Sequence, residues 1–249
     1  MSASPLAPEL PPVVLVTGAA KLTGRDVALL LAAQGWRVAV HYRDSVEEAR
    51  RTVADCSALT PGAQALRSNL GNETAVRNLL PAVIEAFGQV DAVVHCASTF
   101  EHDTAASFSF AAMEKHMRSN AGAAIVLSQA LHTHISQRRK SQPEACGVVV
   151  NLLDQKLRNQ TLDFLSYSLS KAALETANSM LALTLQPLLR VQGVSTAAQA
   201  GTALRLPLAA PVPVPVPVPV PAPCAPAELV ELVELVAPPA QAAPGSRHV

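Results

Sequence analysis

The sequence predicts an α/β fold, a doubly wound parallel sheet with helices on both faces, and three observations carry that prediction. Six short runs rich in β-branched residues alternate with amphipathic segments of helical length. The runs are almost continuously apolar, as strands covered on both faces must be. At 249 residues, 49% of them hydrophobic and 15% charged, the chain is long enough to bury a sizeable core. Right-handed crossovers between parallel strands then wind the sheet in both directions.

Residues 1–11 read as a flexible lead, without the basic residues or apolar run of a signal peptide. The first strand is VVLVT, 13–17, followed by a turn and a helix that Gly35 stops. WRVAVHY, 36–42, is the second strand, and Ser45 with Glu48 forms a capping box on the next helix. AQALRSN, 63–69, follows, and then a third helix that Pro81 should interrupt. DAVVHC (91–96), GVVVNLL (147–153) and LRVQGV (189–194) complete the strands of a body spanning residues 12–195. Residues 196–249 differ in composition, with twelve of the 20 prolines, five charged residues and no aromatic. Proline alternating with small apolar residues favours an extended or disordered tail, read either as a spacer or as a proline-rich ligand for a partner.

Zero net charge leaves no electrostatic footprint for a phosphate backbone, so nucleic acid is not an expected partner. Residues 206–227 are uncharged but hold nine prolines, which excludes a membrane span. Cys56, Cys96, Cys146 and Cys224 lie far apart with no CxxC pair, so the spacing signals neither a metal site nor a disulfide framework, and a reducing cytoplasm is expected.

Two segments carry chemistry. Thr17-Gly18-Ala19-Ala20-Lys21-Leu22-Thr23-Gly24 closes the first strand and opens a helix whose N-terminal amides suit a pyrophosphate, although turns of this composition also occur without a ligand. At the end of the second strand, Arg43 and Ser45 favour the 2′-phosphate of NADP over the ribose hydroxyl of NAD. Asp44 cuts the other way, and a solvated Arg43 is the plainer reading. In LDFLSYSLSKAALETANSM, Tyr167 and Lys171 stand one helical turn apart on one face. An ammonium beside a phenol lowers its pKa toward neutrality and makes a general acid, whereas a half-exposed Tyr over a Lys stem is the structural alternative.

Together TGAAKLTG, the CAS of Cys96 to Ser98, Asn120 in RSNAGAAIVLSQAL, and YSLSK resemble the short-chain dehydrogenase/reductase family over residues 12 to 195. The resemblance implies a Rossmann-type sheet, NADP(H) as cofactor and hydride transfer. It also implies Tyr167 as proton donor, Lys171 on the nicotinamide ribose, and Asn120 supporting a relay water. Asp154, thirteen residues before the Tyr where most members have Ser, is similar to the pteridine reductases and implies an Asp154–Tyr167–Lys171 group. On the same resemblance Gly18, Lys21, Leu22, Gly24, Tyr42, Arg43, Ser45, Asn69, Leu70, Ala97 and Ser98 bind cofactor with Tyr167 and Lys171. Ser98, Phe100, Asp154 and Tyr167 meet the substrate, with the Phe100 ring stacking a flat heterocycle. His95 stands where the family usually has Asn.

The chain departs from the pattern at Leu22, where pteridine reductases have Arg and most members Gly, and after the sixth strand, where the Pro-Gly turn, substrate loop and last strand are missing. An out-of-frame or degenerate terminus would produce that change. The expected function is therefore an NADPH-dependent reductase of a pterin-like heterocycle or small carbonyl compound, assembled as a homodimer or homotetramer through the helices of Asn120 and Tyr167. The alternative is a catalytically impaired nucleotide- or partner-binding protein.

Overall fold

The computed structural model describes residues 10–60, 62–154 and 161–196; the expectations for residues 1–9 and 197–249, including the proline-rich tail and the missing last strand, lie outside the described residues. Six strands appear where β-branched runs predict them: β1 Val13–Thr17, β2 Arg37–Tyr42, β3 Gln64–Arg67, β4 Ala92–His95, β5 Gly147–Asp154 and β6 Leu189–Thr196. All pair in parallel, in the order β3-β2-β1-β4-β5-β6, with Val14 opposite both Val38 and Ala92. The chain turns back across the sheet between β1 and β4, which opens a crevice at their carboxyl ends. β3 is shorter than predicted because it is an edge strand whose side chains are mostly exposed, so little packing extends it.

Alternation along the strands divides the core in two. Val14, Val16, Val38, Val40, Val94 and Val150 pack with Val27 and Leu31 of α1 (Leu22–Ala33) and Ala49 of α2 (Val46–Ser57). Val13, Leu15, Ala39, Val93 and Val149 face the other way, onto Leu79 and Val83 of α3 (Glu73–Phe87) and Leu127 and Leu131 of α5 (Ala123–Arg138). Each buried leucine contributes about 1.5–3 kcal/mol. Trp36, the single tryptophan, is half-buried at the entry to β2 and packs on the first of these clusters.

Punctuation agrees only in part. The Gly35 amide donates to the Ala32 carbonyl at 3.0 Å and closes α1 as predicted. Pro81 does not interrupt α3. The Asn72 side chain accepts from the Ala75 amide, Gly88 ends the helix, and a buried face from Val76 to Phe87 outweighs one lost hydrogen bond. Nor does the capping box form: the Ser45 side chain makes no cap bond, and Glu48 instead pairs with Lys21 at 3.0 Å, which holds its carboxyl below the usual range. Cys146 is disulfide-bonded, although the cysteine spacing signals no bridge. Among the described residues no helix is long and apolar enough to cross a membrane.

Candidate active site

The first turn is built around two close approaches. Gly18 has φ +67°, and a Cβ there would lie 2.9 Å from the Cα of Ala97; one on Gly24 would lie 2.3 Å from the Gly18 carbonyl oxygen. Only hydrogen at both positions lets α1 start this near β1 and β4. Buried His41 fixes the turn from below. Its Nδ1 accepts from the Gly18 amide at 3.0 Å while Nε2 donates to the Ser68 carbonyl at 3.2 Å. Burial pushes its pKa down to about 4, so the ring is neutral as that pattern requires. Lys21, the N-cap of α1, makes no side-chain cap bond, which leaves the helix N-terminus to a ligand's oxygens. Leu22, 65% exposed, holds a left-handed φ of 50° at the mouth of the turn, at a cost on the order of 1 kcal/mol.

Beyond the second strand, a cleft of about 620 Å³ is lined by Arg43, Asp44, Arg67, Ser68, Asn69, Ala75 and Lys115. Asp44 accepts from Arg43 Nε at 2.7 Å and lies 3.8 Å from the Arg67 guanidinium, so both cations face one carboxylate. Tyr42 is half-buried at the end of β2, and Ser45 begins α2. Asn69 is exposed and turns its side chain to the Gly71 amide, while the Leu70 side chain is buried in the core, so only the Leu70 backbone can face a ligand. Ala97 donates its amide to Thr17 Oγ1 at 3.0 Å, and Ser98 beside it is exposed. The glycine cradle, the uncapped helix and the basic cleft fit the diphosphate and adenosine parts of a dinucleotide.

At the carboxyl end of β5 the structure brings the predicted group together. The Tyr167 hydroxyl, on α6 (Leu165–Thr184), donates to Asp154 Oδ2. Lys171 is 4% exposed, donates to the Leu152 carbonyl at 2.8 Å, and has its Nζ 5.9 Å from the Tyr167 ring centroid. Asn120 lies in a π-helical turn, Met117–Gly122, between α4 (Phe110–His116) and α5. The extra residue per turn aims its amide at the centre of the fold, where Oδ1 accepts from the Thr99 amide at 2.6 Å and Nδ2 donates to Ser170 Oγ at 2.9 Å. Phe100, 47% exposed, meets Tyr167 edge-on at 4.7 Å and stacks on Phe164 at 4.2 Å, so another side chain covers one face of the ring expected to hold a heterocycle.

The electrostatics correct one expectation. The phenol is not acidified by Lys171: burial, then the hydrogen bond and charge of Asp154, push the Tyr167 pKa well above the ordinary phenol value. Burial is the largest cause, and the carboxylate that accepts its hydrogen bond acts in the same direction. Burial pulls Lys171 down to about 8, opposed by Asp154. Tyr167 is thus held as a neutral hydroxyl, able to give a proton to a basic atom placed against it.

Sequence reasoning missed the residues that hold this group in place. Thr99 and Ser170 fix Asn120, and Asp103, 63 residues before Ser166, accepts from its amide. None of these partners has a local spacing signal.

A sheet of this order, with its first turn and the ends of β4 and β5 meeting at one edge, is that of the dinucleotide-binding α/β fold. Residues 12–210 match the family model described as short chain dehydrogenase, and the chain belongs to that family. Pteridine reductase 1 of Leishmania tarentolae is 30% identical over 228 residues, covering 78% of either protein. The 3-oxoacyl-[acyl-carrier-protein] reductase FabG of Staphylococcus aureus is 36% identical over 83 residues, so the match spans 34% of that relative's length. Among solved structures, FolM alternative dihydrofolate reductase 1 from Brucella canis, complexed with NADP, superposes with a TM-score of 0.67 at 28% identity, covering 74% of this chain and 72% of that one.

Proposed function

We propose that the protein is an NADPH-dependent reductase of a planar C=N heterocycle of the pterin type, or of a small carbonyl compound of similar size. The observation that carries this reading is the Tyr167 hydroxyl on the Asp154 carboxylate with the Phe100 ring edge against it. The likeness to pteridine reductase 1 and to the NADP complex of FolM supports it.

When bound, the reduced nicotinamide supplies a hydride, that is, an electron pair and one hydrogen, to the carbon of the C=N or C=O bond. Tyr167 gives its hydroxyl proton to the nitrogen or oxygen, so the double bond takes up two hydrogens and the cofactor leaves oxidised. Lys171, protonated below about pH 8, stabilises the phenolate formed, which then regains its proton from solvent. Arg43 and Arg67 are the cations that would face the 2′-phosphate, Gly18 and Gly24 admit the diphosphate, and the Asp154 carboxylate orients a ring that carries N–H donors. Exposed Leu169, Met180 and Leu183 on α6 support assembly through that helix into a dimer or tetramer.

Tyr167→Phe tests the reading with NADPH and a dihydropterin or quinonoid pterin as substrate. Turnover is expected to fall by a factor of about 10²–10⁴ while NADPH affinity, read by nicotinamide fluorescence, stays within about twofold. Equal turnover removes Tyr167 as the acid. NADPH binding by the unaltered protein without reduction of any pterin or carbonyl compound replaces the reductase with the nucleotide-binding alternative.

A further inference from the structure

The N-terminus of α6 begins at Phe164, which has φ +65° and provides no side-chain cap. A residue from elsewhere in the chain does that work. Asp103, in the loop between β4 and α4, is 4% exposed, and its Oδ1 accepts from the Ser166 amide at 3.0 Å. Its Oδ2 accepts from the same amide at 3.2 Å and from the Ser166 hydroxyl. The Asp103 carbonyl accepts from the Phe164 amide at 2.7 Å, and a bridge between Thr104 and Asp163 closes the same seam. A buried carboxylate with this set of donors serves both the unpaired amides and the positive end of the helix.

Two parts of the site meet at this seam. Ser166 directly precedes Tyr167, and Asp103 lies three residues beyond Phe100 in its loop. Resting on the reductase reading, we infer that Asp103 is a positioning residue for the reaction. It fastens the Phe100 loop to the first turn of α6 and so sets where the Tyr167 hydroxyl points relative to Asp154. Local capping by Asp163 would hold the helix but not the loop; Asp163 instead pairs with His102 at 3.2 Å.

The chain has two tyrosines, so isotope-labelled tyrosine gives two phenol signals, and the one lost in Tyr167→Phe belongs to residue 167. In the unaltered protein the Tyr167 signal is expected to stay at the neutral-phenol position through the range near pH 10 in which an ordinary phenol titrates. In Asp103→Ala it is expected to titrate at lower pH than in the unaltered protein, with kcat down roughly 10- to 100-fold, KM changed less, and NADPH affinity unchanged. Asp103→Asn keeps one acceptor for the Ser166 amide and is expected to recover part of both readouts; Ser166→Ala, which removes the hydroxyl donor, should fall between. A folded Asp103→Ala protein with the original phenol titration and kcat overturns the proposal. If that variant does not fold, Asp103→Asn and Ser166→Ala decide, and original behaviour in both overturns it equally. A protein that reduces no substrate refutes the proposed function, yet the phenol titration still reads the clamp.

Discussion

Replacing His95 with asparagine should make the fold less sensitive to acid. His95 is fully buried at the end of β4, where Nδ1 shares a 3.1 Å hydrogen bond with the Thr17 hydroxyl and Nε2 has no hydrogen-bond partner among the described residues. Burial, reinforced by Lys171, pushes its pKa down to about 3, and burial takes His41 down to about 4. In the unfolded chain both rings bind a proton near the ordinary value of 6.5, whereas in the fold they do not, so stability is full above that value and is lost as pH falls toward 4 and then 3. Integrating the difference to about pH 5 gives a loss of about 2 kcal/mol for each ring, about 4 together, a large part of the stability of an ordinary domain. His95→Asn removes one of the two. Urea unfolding followed by circular dichroism from about pH 7.5 to about pH 5 should show the variant gaining about 2 kcal/mol relative to the parent over that interval, whatever their offset at neutral pH. An offset that does not change with pH would refute the reasoning, because it would mean His95 binds its proton equally in both states.

Three further outcomes follow from single contacts. Arg138→Met leaves the nearly buried Asp91 carboxylate without its 2.6 Å ion pair, although Val13 and Gln89 still donate to it, and should cost about 3 kcal/mol in thermal or urea unfolding. Gly24→Ala, which would ordinarily favour a helix, should instead destabilise by at least about 1 kcal/mol and weaken dinucleotide binding, since its methyl meets the Gly18 carbonyl; unchanged calorimetric titrations would contradict this. Asp44→Ala removes the carboxylate facing Arg43 and Arg67 and should tighten NADPH binding about fivefold, from an exposed charge interaction of about 1 kcal/mol, with little effect on NADH; equal changes for both would place the two arginines away from the 2′-phosphate.

The strands were legible because β-branched runs between helical segments leave few other ways to bury so much apolar surface, and Tyr167 with Lys171 was legible because a one-turn spacing on a helix survives folding. Asp154 was reachable only through the family resemblance: it ends a strand thirteen residues away, and no periodicity connects a strand end to the next helix. Asp103 and Ser170, 63 and 50 residues from their partners, were hidden because packing alone brings such groups together. The phenol's direction of shift was misjudged for a related reason. Spacing shows that an amine is near, but not that the phenol is buried and donates its hydrogen bond to a carboxylate. Glu48 teaches the same lesson, since the Lys21 ammonium across the turn outcompetes a local cap.

Trp36 stands at the opposite end of the sheet from the chemistry, at the entry to β2, whose six residues span about 20 Å before the strand reaches the cleft at Arg43. A lone indole at such a remove is a molecular ruler. Its near-ultraviolet emission overlaps the absorption of a reduced nicotinamide, so quenching by energy transfer measures occupancy of the crevice without any label. A shift in its emission wavelength instead signals that the sheet itself has opened, so one fluorophore separates loss of ligand from loss of structure.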